Sequence, residues 1–123
     1  MNKVKNLAFA FTIALIAISC GDDDSTAPVV NITSPAATSS YTVADTIILI
    51  GTVTEDTELA SIAITSDFGL NETVTTFNSD TSHALNYNIT FDPATAVGAY
   101  TLSVTATDEA GNVGSDNVSI NVQ

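Results

Sequence analysis

The chain has 123 residues, with fourteen carboxylate side chains against two lysines, for a formal charge of −12. That balance excludes nucleic acid as a ligand, because phosphates need cationic partners. It equally excludes electrostatic adhesion to anionic lipid. One cysteine and one histidine rule out an intrachain disulfide and a cluster of histidine metal ligands.

Lys3 and Lys5 precede a mostly apolar run from Leu7 to Ile18. The run is shorter than the roughly 20 residues that span a bilayer core, and its basic start is that of a cleavable secretory signal. Ala17-Ile18-Ser19 then lead to Cys20. This resembles the lipobox of bacterial lipoproteins, with Ala17 where that pattern prefers leucine. The resemblance implies cleavage after Ser19 and membrane anchoring through acyl chains on Cys20. Several chains are implied, since one alone binds a membrane only marginally. Gly21, Asp22, Asp23 and Asp24 follow, resembling the acidic export signal that takes lipoproteins of some Gram-negative bacteria to the outer face of the outer membrane. The implied organisation is a signal peptide at 1–19, a lipidated acidic tether at 20–27 and one domain at 28–123. Both lysines leave with the signal, so the mature chain keeps all fourteen carboxylates and no fixed positive charge.

From Pro28 onward the pattern has a period of two. Leu85, Tyr87, Ile89 and Phe91 alternate with Ala84, Asn86, Asn88 and Thr90, and Tyr100, Leu102, Val104 and Ala106 alternate with Thr101, Ser103, Thr105 and Thr107. In a strand such spacing sends apolar side chains to one face and polar ones to the other. Seven strands are predicted, over Val29–Thr33, Thr46–Thr54, Leu59–Thr65, Glu72–Phe77, Ala84–Phe91, Ala99–Thr107 and Asn117–Val122. Gly-, Pro-, Asn- and Asp-bearing turns separate them. Short strands at this spacing predict an all-β sandwich of two antiparallel sheets. Ile47-Ile48-Leu49-Ile50 is apolar on both faces, which predicts a central or partly covered strand.

Four segments carry a family resemblance: Pro28-Val29-Val30-Asn31-Ile32-Thr33-Ser34-Pro35, Ile50-Gly51-Thr52-Val53-Thr54-Glu55-Asp56, Leu59-Ala60-Ser61-Ile62 and the run from Gly98 to Asn112. They resemble bacterial immunoglobulin-like domains, some of them borne by surface lipoproteins. The resemblance implies an immunoglobulin-like β-sandwich of about seven strands over the whole domain. It says little about function, because this sandwich hosts many tasks. Tyr100, just after Gly98, matches the tyrosine corner of such sandwiches, a hydroxyl bonded to nearby backbone. Gly111-Asn112 is expected to close the last hairpin at a positive φ.

Catalysis has little to work with. His83 is the only histidine, no Gly-x-Ser-x-Gly turn is present, and His83 reads as a solvated residue at a strand edge. Carboxylates cluster in loops, with no tryptophan to platform a sugar. Calcium, which takes six to eight oxygen ligands, is the sharper possibility. In an immunoglobulin-like sandwich the loop after the second strand and the last hairpin share a pole with the entering chain. That would gather Glu55, Asp56, Glu58, Asp108, Glu109 and Asn112 near Asp22, Asp23 and Asp24; the alternative is a solvated polar pole. The expected function is a non-catalytic surface module that binds a protein or glycan. A calcium-stiffened envelope spacer is the alternative, and an enzyme ranks third. Ligand binding of this kind calls for exposed aromatics such as Tyr41, Phe68 or Phe77.

Overall fold

The computed structural model describes residues 23–123. The signal segment, Cys20, Gly21 and Asp22 lie outside the described residues. Eight strands form: β1 (Val29–Ser34), β2 (Ser39–Tyr41), β3 (Thr46–Thr54), β4 (Leu59–Ser66), β5 (Asn71–Val74), β6 (Ser82–Thr90), β7 (Gly98–Asp108) and β8 (Val113–Val122). They make a three-stranded sheet in the order β1-β3-β6 and a five-stranded sheet in the order β2-β8-β7-β4-β5. All pairings are antiparallel except that of the short β2 with β8.

The period-two pattern is what builds this sandwich. In β3, Ile47, Leu49 and Val53 are buried while the alternate residues are exposed. They face Ile62 and Ile64 of β4, Leu102, Val104 and Ala106 of β7, and Ile120 of β8 in one continuous core. Burying each large aliphatic side chain contributes roughly 1.5–3 kcal/mol. No disulfide or tryptophan helps, so aliphatic packing carries the fold.

Three strands differ from the sequence expectation. β2 lies in Ser39-Ser40-Tyr41, too short and polar to show alternation; it is held by its pairing with Ile120–Val122. β8 begins at Val113 rather than Asn117, because Val113–Asp116 complete the long β7–β8 hairpin despite their polarity. β5 ends at Val74, short of Phe77.

The sandwich has two distinct poles. At one, Tyr41, Phe68, Phe91 and Tyr100 pack together, with Phe68 and Phe91 ring centres 5.0 Å apart. The Tyr100 hydroxyl donates to the Ala96 carbonyl at 2.8 Å, the tyrosine corner expected from its position. At the other, the β3–β4 loop, the β7–β8 turn and the segment ahead of β1 converge. Gly111 there has φ of 95°, which a glycine adopts at little cost.

Candidate functional site

The acidic pole is organised by its last hairpin. The Asp108 backbone N–H donates to the Asn112 carbonyl, and the Asp108 carboxylate accepts from both the Asn112 backbone N–H and its Nδ2, each at 2.8 Å. An Asp at the turn start bonding its own hairpin is what this turn chemistry requires. The same Nδ2 donates to the Asp24 carbonyl at 2.9 Å, so Asn112 joins the hairpin to the segment ahead of β1. Asp24 is tied further by Thr57, whose hydroxyl donates to its Oδ2 at 2.7 Å, and by the Thr26 N–H on its Oδ1.

Glu55 completes the arrangement. It ends the buried row of β3 and is only 8 % exposed; Asp108 is 1 % exposed. Glu55 Oε1 accepts the Asp56 N–H at 2.7 Å, whereas Oε2 is buried with no hydrogen-bond partner. One carboxylate oxygen from each of Asp24, Glu55 and Asp108 lies within 4.8 Å of the other two. Burial pushes the Glu55 carboxyl up to about 7, with the Asp56 and Asp108 side chains adding to the effect. Burial works to raise Asp108 as well, but hydrogen bonds from the Asn112 side chain and backbone outweigh it and hold Asp108 below its ordinary value. Among the described residues there is no lysine or arginine to balance the group.

Of the residues expected at this pole, the structure therefore joins Glu55 and Asp108 with Asp24, and sets Asn112 as their brace. Asp23, Asp56, Glu58 and Glu109 are exposed around them. The arrangement can hold a proton or a hard cation.

His83 is not the solvated edge residue its sequence neighbours suggested. It is half-buried, its Nε2 lies 2.9 Å from the Tyr87 hydroxyl, and its ring meets Phe77 edge-on. Burial lowers its pKa.

A second feature escaped the sequence reading. Tyr41, Phe68 and Phe77 are half-buried against the core, so none forms an exposed aromatic platform. The exposed large apolar side chains are aliphatic instead, among them Ile48 (49 %) and Ile50 (43 %) on the outer face of β3. Ile48 is paired with Asn88 and Ile50 with Asn86 of β6. The rest of that outer face is Val29, Asn31, Thr33 and Ser34 from β1, Thr46, Thr52 and Thr54 from β3, and Ser82, Ala84 and Thr90 from β6, with no charged side chain. Carboxylates enter the strands only at Glu72, Asp108 and Asp116. The absence of charge from Thr46 to Thr54 was visible in the sequence, but only the register shows that β1 and β6 extend it across a whole face.

Comparison with known proteins bears on the fold. The family model for the bacterial Ig domain matches residues 28–104. Among solved structures, the fibronectin(III)-like modules of Clostridium thermocellum CbhA superpose with a TM-score of 0.56 at 24 % identity, over 76 % of this chain and 93 % of that one. No curated protein matches the chain by sequence.

Proposed function

The chain belongs to the bacterial Ig domain family, and on that premise we propose that it is a lipid-anchored, non-catalytic surface module that docks a protein partner on its three-stranded sheet. Domains of this family are generally non-catalytic binding or structural modules and are often surface-exposed. The proposed anchor is Cys20, with Gly21–Asp24 as the signal that carries it to the outer membrane's exterior face.

The observation that carries the docking reading is the charge-free outer face of β1-β3-β6 with Ile48 and Ile50 near its centre. Interface cores are depleted of charge and enriched in apolar side chains, with hydrogen-bonding groups around them. An acidic domain that keeps carboxylates off its sheet faces and exposes Ile48 and Ile50 on this one has a surface a neutral, aliphatic protein patch can meet without electrostatic penalty. A glycan fits this face less well, because isoleucine lacks the flat π-surface on which a sugar ring stacks.

The test is site-specific photo-crosslinking in intact cells, with the probe at Ile48 or, on the opposite sheet, at Ser119. A discrete adduct with another protein from position 48, absent from 119 and abolished by Ile50→Lys, is the expected result. An adduct of doubled mass from position 48 would replace the partner with a second copy of this chain. No adduct from either position would remove the docking reading and leave a structural spacer.

A further inference from the structure

We propose that Asp24, Glu55 and Asp108 hold a calcium ion that fastens the segment ahead of β1 to the body of the domain. Three carboxylates drawn together would ordinarily be neutralised by a lysine or arginine, and the described residues contain neither. Solvent cannot do the work either, because Glu55 and Asp108 are almost wholly inside. Burying an unpaired carboxylate is costly, so the charge is offset either by a proton within the group or by a cation from outside the chain, and the geometry fits the cation.

The unpartnered Glu55 Oε2 marks where it goes. The other carboxylate oxygens of the group have assigned work: Glu55 Oε1 on Asp56, both Asp108 oxygens on Asn112, both Asp24 oxygens on Thr26 and Thr57. A carboxylate oxygen has two lone pairs, so these bonds do not use up its capacity to accept. The bonds fix the carboxylates in place without exhausting them.

The distances suit calcium. Calcium–oxygen bonds are about 2.3–2.6 Å, so two oxygens sharing one ion lie at most about 5 Å apart. The three here lie within 4.8 Å of one another. Calcium accepts irregular sets of six to eight oxygens, and water would fill the remaining positions at this partly open pole. Magnesium demands a near-ideal octahedron at about 2.0–2.1 Å and gives up water reluctantly. Three carboxylates held by their own hydrogen bonds on three separate segments fit the more tolerant ion.

The ligands also say what the ion would do. Glu55 directly follows β3 of one sheet, and Asp108 is the last residue of β7 in the other. Asp24 belongs to the segment that leads into β1 and would come from the anchor. A bound ion would tie both sheets and that segment at one point, adding to the bonds from Asn112 and Thr57.

The experiment uses the processed full chain in detergent, stripped with chelator and titrated calorimetrically with calcium, then with magnesium. Expected are one calcium per chain, a rise in Tm of about 10 °C at a hundredfold excess over Kd, and slower hydrogen exchange at the Thr26 amide. Glu55→Gln should abolish binding while leaving a folded chain, since it removes a buried charge without removing volume. Asp24→Asn, on the half-buried segment, should weaken calcium at least tenfold and abolish the change at Thr26. Asp45→Asn, at the opposite pole, should change nothing. Absence of binding heat would overturn the proposal. So would a Tm rise that magnesium matches and Glu55→Gln retains, which is general screening of the acidic chain. Binding that survives Asp24→Asn unchanged would overturn the fastening of the segment.

Discussion

The Asp116 carboxylate of β8 accepts a hydrogen bond from the Ile32 backbone N–H of β1 at 2.9 Å, joining one sheet to the other. The bond falls where the register of β1 with β3 shifts, between Ile32 and Ser34. It gives a partner to a backbone donor at the irregularity. Hydrogen bonds to a charged group contribute about 1.5–3 kcal/mol, and this one is half-buried. Asp116→Ala should lower stability by about that amount in urea unfolding. Asp116→Asn, which keeps an acceptor oxygen, should recover most of it.

Two glycines are fixed by close approach rather than by backbone conformation. A Cβ on Gly114 would overlap the Pro28 carbonyl oxygen, and one on Gly51 would overlap that of Asn31. Both contacts are with backbone, which cannot swing aside as a side chain can. Gly51→Ala and Gly114→Ala should each cost about 1–3 kcal/mol, the range for overpacking a close-packed site. Gly69→Ala, with open space around its Cβ but φ of 107°, tests backbone strain separately. Parallel urea titrations of the three variants would compare the two effects.

His83 gives the domain a pH dependence of definite sign. Its folded pKa is depressed by burial, so the unfolded chain takes up the proton first. Its contribution to stability is complete above the unfolded value of about 6.5 and is lost as pH falls through the lower folded value. Its neighbours Phe77 and Tyr87 supply no charge in this range. Glu55 acts the other way: with its folded pKa raised to about 7, its contribution is present below the unfolded pKa and lost as pH rises through 7. That contribution is common to wild type and His83→Gln. The difference in their urea midpoints between pH 7.5 and 5.5 therefore isolates the histidine, and the variant should lose less stability on acidification.

The proposed anchor rests on one atom, the Cys20 sulfur. Cells fed a clickable palmitate analogue should label the wild-type chain, and Cys20→Ala should be unlabelled and partition from the detergent phase into the aqueous phase. Protease added to intact cells should degrade the wild-type chain if its domain faces outward. Replacing Asp22, Asp23 and Asp24 with alanine should protect it by retaining it inside.

Most of the sandwich was legible because alternation is a local property. β3 runs from Thr46 to Thr54 as its sequence predicts, since Ile47, Leu49 and Val53 at every second position have core places waiting. β2 was not legible, because three polar-leaning residues carry no period and their strand exists only through a partner eighty residues away. The same distinction holds at the acidic pole. Glu55 and Asp108 could be placed near each other from loop order, and Gly111-Asn112 announced the hairpin that Asp108 begins. The depth of Glu55 could not be read, because it depends on how Asp24 and the last hairpin close over it. His83 was misjudged for a related reason: its burial comes from Phe77 and Tyr87 folding around it, and polar sequence neighbours concealed that.

The confinement of carboxylates to loops and sheet edges also governs crowding on a surface. The outer face of the five-stranded sheet is, like its counterpart, laid with threonine, serine and asparagine, including Ser103, Thr105, Asn117 and Ser119. Copies standing on their N-terminal poles would meet their neighbours flank to flank through neutral surface, while the acidic ends repel only end-on approach. Screening falls off over about 8 Å at physiological ionic strength. Salt should therefore alter how readily one layer of molecules settles on another far more than it alters the spacing of molecules within a layer.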